Sequence, residues 1–277
     1  MKVLRRILAV ICILVLLVAG VRIGMVLHEY NAAKSLYRGY ADSYVTLRTD
    51  TASDADGGSA DEASSADSST AAQTDVEEAE PAEPLPVPPI EVDFDELLAR
   101  NPDVVGWIYC EDTVINYPVL QGDDNTYYLH HTIDGTYNAS ASIFADGNNR
   151  RDFQDANTIL YGHHMKNGSM FAGLDEWADQ DYYEAHSVMW LLTPTQNYEV
   201  VLFAGYTTKT MSDSYTLFTE PGEELDAYIE RALSLSDFTA SDVDLEGAEK
   251  CVMLSTCAYV FNNARYVLHG VLLPAET

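Results

Sequence analysis

The chain has 277 residues, with 47% apolar and 10% aromatic content, enough for one or two domains around a substantial core. Its net charge of −29 excludes nucleic acid as a partner, because neutralising phosphates needs a basic footprint. The charge is uneven: thirteen Asp or Glu and no Lys or Arg lie between Asp50 and Asp93, so much of the acidity belongs to a tail and says little about the folded part.

The N-terminus reads Met1-Lys-Val-Leu-Arg-Arg, followed by an apolar run from Ile7 to Val21, an interruption at Arg22 and a second mostly apolar stretch, Ile23 to Leu27. The first run is short for a hydrocarbon layer of ~30 Å, which takes about 20 helical residues. Residues 3–27 reach that length if Arg5, Arg6 and Arg22 snorkel to the headgroups. Lys2, Arg5 and Arg6 then place the N-terminus in the cytoplasm and the remainder outside, in a single pass. A cleaved signal peptide is the competing reading. Ala19-Gly20-Val21 is a poor small-x-small cleavage site, which favours an uncleaved anchor over residues 1–30.

Residues 31–92 read as a stalk and a linker. Asn31 to Thr49 continues as helix or stalk. Thr51 to Pro89, rich in Ala, Ser, Asp, Glu and finally Pro, buries too little apolar surface to offset its ordering entropy and is predicted to be a disordered spacer. As a coil it would hold the domain roughly 35 Å from the stalk.

The folded domain is predicted over residues 93–277. Asp93, with Glu96 three residues on, reads as a helix N-cap, and Asn101-Pro102 as that helix's end. Eight strand candidates follow, at 106–109, 114–120, 140–144, 158–161, 188–192, 198–206, 251–256 and 265–273, and they suggest a mainly β barrel or sandwich. Pro118 suits an edge or bulge. Residues 223–235 carry Leu225, Tyr228, Ile229, Ala232 and Leu233 at helical spacing, and 169–177 is a weaker helix candidate.

Four cysteines are present: Cys12 in the apolar run, then Cys110, Cys251 and Cys257, with no CxxC and no zinc-like spacing. The acidic segment lacks EF-hand spacing, and neither a metal nor a cofactor is expected. Cys251, Cys110, His269, Trp107, Trp177 and Trp190 read as core or structural, and His130, His131 and His186 as exposed loop residues.

Three features stand out for chemistry: a β-run halted by Gly162 and followed by His163 and His164; a β-run ending at Cys257; and Arg265 at the start of the last strand, after Asn262-Asn263. A cysteine nucleophile needs a base that makes thiolate available and a donor or cation for the oxyanion. Taken singly, each feature is ordinary. A Cys at a strand end is more often a small buried hydrophobe, and a terminal Arg more often a solvated charge.

Taken together they resemble a family. Leu254-Ser-Thr256-Cys257 resembles the Thr-Leu-x-Thr-Cys signature of sortases, and Cys257-Ala-Tyr259-Val-Phe261 with Arg265 resembles the class B arrangement. Tyr161-Gly-His163-His-Met-x-x-Gly168-Ser-Met170-Phe171 is similar to the class B histidine segment. Asn101-Pro-Asp-Val-Val-Gly-Trp107-Ile and Ile115-Asn-Tyr117-Pro118-Val119 are similar to the opening of that domain. The likeness runs from about Phe94 to Leu273 and includes the late helix. One departure is Met253 where the signature has Thr, which puts fine substrate contacts in question.

The resemblance implies a closed eight-stranded β-barrel with peripheral helices and a cysteine transpeptidase of the thiol peptidase class. In that reading Cys257 is the nucleophile, His163 the general acid/base and Arg265 the oxyanion and substrate stabiliser. The implied substrate is an exported protein with a C-terminal sorting motif. The implied acceptor is an amine of a Gram-positive cell-wall precursor or a pilus subunit. A thiol hydrolase that only cleaves, and a non-catalytic exported binding module, are the alternatives.

Overall fold

A computed structural model describes residues 2–48, 84–210, 212–241, 243–257 and 263–277. Helix α1 runs from Lys2 to Tyr44 without a break and is long and apolar enough to cross a membrane. From Leu4 to Leu27 its large apolar side chains are exposed on all sides, as suits a lipid-facing helix. Beyond that point the helix turns one face inward. Ala33 and Tyr37 are buried, and the Tyr37 hydroxyl donates to the Ala141 carbonyl at 2.7 Å and shares a hydrogen with Ser142 Oγ at 2.8 Å.

The chain next forms strand β1 (Val45–Leu47), which pairs antiparallel with β2 (Ile90–Val92). The Arg48 N–H donates to the Pro89 carbonyl at 2.9 Å. The acidic segment therefore leaves and re-enters the fold at one place. The β1–β2 pairing, and not the length of that segment, sets the distance between α1 and the barrel, so the expected separation of roughly 35 Å does not hold. The predicted disorder of residues 51–83 lies outside the described residues. Pro84 to Pro89 carries neither helix nor strand, and the Pro86 carbonyl accepts from Glu276 N–H at 3.0 Å.

Helix α2 (Phe94–Arg100) starts where the cap was read, with Asp93 Oδ1 accepting from Glu96 N–H at 3.0 Å, and ends at Asn101. Strands β3 (Val104–Tyr109), β4 (Asn116–Leu120), β5 (Ile143–Ala145) and β6 (Asn157–Tyr161) follow. The weak helix candidate at 169–177 becomes a 3-10 helix at Leu174–Ala178 and then α3 (Gln180–Ala185), whose N-cap is Asp179. Strands β7 (Val188–Leu192) and β8 (Asn197–Lys209), helix α4 (Glu223–Leu235), and strands β9 (Cys251–Cys257) and β10 (Ala264–Ala275) complete the order.

Among the described residues, eight strands close into a barrel in the order β10-β8-β7-β3-β4-β5-β6-β9, with β9 paired to β10. Most neighbours are antiparallel, but β4–β5 and β6–β9 are parallel. Closure removes free edges. Pro118 is tolerated because β5 pairs only with Val119 and Leu120, so at Pro118 the strand has β3 alone beside it. The barrel interior is filled by residues such as Trp107, Leu254 and Leu268. A second core lies under α4, where Leu225, Tyr228, Ile229 and Ala232 pack with Phe203, Met253 and Val267, while Leu233 stays exposed.

The remaining expectations are met with small changes. Cys110 and Cys251 are buried free thiols, and burial pushes both up to about 12. His269 is fully buried and structural. Trp107 and Trp177 are core, whereas Trp190 is half-buried against it. His130 is exposed, but His131 and His186 are half-buried because each ring packs on a tyrosine (Tyr127 and Tyr182) and bonds that residue's carbonyl.

Candidate active site

Strand β9 ends at Cys257 and β10 opens at Ala264, and their register sets Arg265 directly opposite Cys257. Asn263, at φ 62°, makes the left-handed turn into β10 that Asn tolerates. On its other side β9 runs parallel to β6, with Tyr161 beside Ser255 and the Gly162 N–H donating to the Ser255 carbonyl at 3.1 Å. Gly162 and His163 therefore leave β6 at the same barrel end at which Thr256 and Cys257 leave β9. The motif residues Ala258 to Phe261 lie outside the described residues.

His163 is held from two directions. Its carbonyl accepts from Phe171 N–H at 3.0 Å, and its Nε2 donates to the Leu129 carbonyl at 2.9 Å. The second bond leaves Nδ1 of the neutral ring as the acceptor. The segment beyond it folds back on itself: Gly168, at φ 75°, closes a turn on the Met165 carbonyl, and His164 pairs with Met170. Met170 N–H donates to the Tyr117 hydroxyl at 3.0 Å, which pins the far side of the fold-back to β4. Gly162 is required by packing, because a Cβ there would lie 2.5 Å from both Ile143 Cδ1 and Phe171 Cδ2.

A groove of about 380 Å³ opens at this barrel end, and His163, Arg265, Thr256 and Ser255 line it together with Tyr161 and Leu129. Arg265 is half-buried, and one of its Nη atoms donates to the Ala264 carbonyl at 2.9 Å. The walls are ordered by a tyrosine network. The Tyr161 hydroxyl donates to Asp146 Oδ2 at 2.9 Å, and Tyr215 shares a hydrogen with Ser255 Oγ at 2.7 Å. Burial, and then the Asp146 carboxylate, hold the Tyr161 phenol well above its ordinary range, so it stays a neutral donor. Among the described residues no cluster of three His, Cys, Asp or Glu is placed to hold a metal ion.

All three residues singled out in the sequence thus reach one barrel end: the β9 terminus at Cys257, its cross-strand partner Arg265, and His163. Tyr215, Asn125, Leu129 and Thr210 also line the groove and were not foreseen; Tyr215 ends a single 3-10 turn and the others lie in loops, none of which carries a local pattern. The question raised by Met253 is answered by its location. It is fully buried under α4, within 3.8 Å of the Tyr228 hydroxyl, so its departure from the signature touches packing and not the groove.

No family model matches the chain. Sortase B of Listeria monocytogenes is 41% identical over 182 residues, covering 64% of this chain and 73% of that protein. The chain belongs to the class B sortases. The crystal structure of Staphylococcus aureus sortase B agrees with a TM-score of 0.62 at 30% identity, covering 69% of this sortase and 90% of that chain. The same Staphylococcus aureus enzyme in a sortase B-substrate complex agrees equally, with a TM-score of 0.62 and 30% identity over 66% of this sortase and 85% of that chain. As a member of the family, this sortase is a cysteine transpeptidase.

Proposed function

We propose that this sortase is anchored by residues 1–30, carries its stalk and linker over 31–92 and its catalytic domain over 93–277, and acts outside the cell membrane on exported proteins bearing a C-terminal sorting motif. Cys257 is the nucleophile. Its thiolate attacks the carbonyl carbon after the motif's Thr, and Arg265 stabilises the resulting oxyanion. His163, as imidazolium, gives its proton to the leaving amine, so the C–N bond breaks and a thioester remains. An amine of a cell-wall precursor or a pilus subunit then attacks the thioester, gives up a proton to His163 and releases the thiolate. Lys2, Arg5 and Arg6 keep the N-terminus cytoplasmic.

The observation that carries this reading is the strand register. Arg265 is the cross-strand partner of Cys257, and the parallel β6–β9 pair delivers His163 to the same groove. The relatives are an independent support, since Staphylococcus aureus sortase B forms a substrate complex.

The test is Cys257→Ala, assayed on fluorogenic peptides carrying sorting motifs, with and without an added amine. The expected result is loss of turnover in the variant, and in the wild type an amide product that appears only when amine is present. Undiminished turnover in the variant refutes the assignment. Free acid as the sole wild-type product in both conditions would leave a thiol hydrolase.

A further inference from the structure

A second groove lies at the opposite end of the His163 segment. It has a volume of about 400 Å³ and is formed by Arg22, Ile23, Val26 and Leu27 of α1 together with Lys166 and Asn167. Its walls are mostly apolar, and Lys166 stands beside the last turns of the lipid-facing part of α1, in which Arg22 also lies. Of the fifteen Lys and Arg in the chain, six lie on α1 (Lys2, Arg5, Arg6, Arg22, Lys34 and Arg38), in a protein whose net charge is −29. The carboxylate nearest along the helix, Glu29, is engaged elsewhere, since its Oε1 accepts from Ala139 N–H at 2.9 Å.

We propose that this groove seats one anionic phospholipid of the host membrane, with the phosphate at Lys166 and at the outward-snorkelling Arg22 guanidinium, and the glycerol and upper acyl chain descending along Leu27, Val26 and Ile23 towards the bilayer interior. The proposal rests on the membrane-anchor reading above, because that reading puts Leu27 at the outer headgroup boundary and Arg22 about 7.5 Å below it, within snorkelling reach. Apolar walls continuous with a membrane helix, with two cations in reach of the headgroups, fit the chemistry of a lipid phosphate at the interface.

The seat is coupled to the candidate active site by short covalent and hydrogen-bonded paths. Lys166 follows His163 by three residues. Asn167 Nδ2 donates to the Tyr30 carbonyl at 3.3 Å, and Asn138 Nδ2 donates to the Glu29 carbonyl at 3.4 Å. The loop of Asn138 also carries Leu129, whose carbonyl holds the His163 ring. Both segments that flank the imidazole are therefore tied to one turn of α1, about 12 Å along the helix from Arg22. A lipid bound at Lys166 steadies the segment that positions His163.

The test uses the full chain in mild detergent, with phosphatidylglycerol or phosphatidylcholine added in turn and the retained lipid read by native mass spectrometry. Each cation near an anionic lipid surface contributes roughly a fivefold factor, so the preference for phosphatidylglycerol should be about 25-fold and should drop about fivefold in Lys166→Gln. Lys166 is exposed, so that variant keeps the fold. Val26→Trp, which fills the groove and leaves both charges, should abolish retention. In nanodiscs, amides of residues 163–170 should exchange more slowly with phosphatidylglycerol than with phosphatidylcholine. Equal retention of the two lipids, or a preference that survives both variants, overturns the proposal. A chain that fails to float with vesicles overturns the anchor reading and this proposal together. Neither lipid result depends on whether Cys257 is catalytic.

Discussion

Gly162→Ala probes the join between fold and site. The added methyl would stand 2.5 Å from Ile143 Cδ1, 2.5 Å from Phe171 Cδ2 and 2.7 Å from Phe171 Cγ. Apolar carbons pack at about 3.5–4.0 Å, so a gap of at least ~1 Å must open between β6, Ile143 and the Phe171 ring. Ile143 and Phe171 are themselves fully buried, so neither has open space to move into. Overpacking of this kind costs about 1–3 kcal/mol. The same shift reaches the candidate site, because Phe171 N–H holds the His163 carbonyl and His163 follows Gly162 directly. A misplacement of ~1 Å in a catalytic group lowers turnover by roughly a hundredfold. The assay pairs urea unfolding with kcat/KM on a sorting-motif peptide. The expected result is a lower midpoint, a large loss of turnover, and partial recovery of both in Gly162→Ala/Phe171→Leu. A single variant with wild-type stability and turnover would refute the reasoning, as would a double variant worse than the single.

Three further outcomes follow from the buried groups. Burial pushes His269 from its ordinary 6.5 down to about 3, so below pH 6.5 the unfolded chain takes up a proton that the folded chain refuses. Its contribution is complete above pH 6.5 and is lost as pH falls, at about 1.4 kcal/mol per pH unit until about pH 3. Urea midpoints from pH 7 to 4.5 should fall less steeply in His269→Gln than in the wild type, and equal slopes would contradict the sign. Tyr37→Phe removes a hydroxyl bonded to Ala141 and Ser142, and should cost about 1–3 kcal/mol and raise the rate of proteolysis in the last turns of α1. In Cys257→Ala, Cys110 and Cys251 should stay unlabelled by iodoacetamide at pH 8 until denaturant is added, since burial pushes both thiols up to about 12.

Much of this sortase is readable from local pattern. The cap at Asp93 is a side-chain-to-backbone bond three residues long, so it is visible in the sequence. The apolar spacing of 223–235 predicts α4 at its observed bounds. Each strand candidate needs only its own alternation and its flanking turn residues, and all eight are barrel strands. Cys257, His163 and Arg265 were legible as a candidate set because short motifs surround each one, and the fold brings all three to one barrel end.

What local pattern does not hold is which strand lies beside which. The parallel neighbours β6 and β9 are separated by α3, α4 and two other strands, and no turn chemistry encodes their pairing. It is that pairing, decided by how one closed barrel buries its interior, that brings the imidazole segment to the end of β9. The same is true of the β1–β2 clasp, which converts an apparent spacer into a closed excursion. Met253 was legible as a departure from a signature, but only α4 packed over it made it a core residue. Helices and turns depend on neighbours within a few residues and so are written locally, whereas sheet order is settled by contacts between segments far apart in the chain.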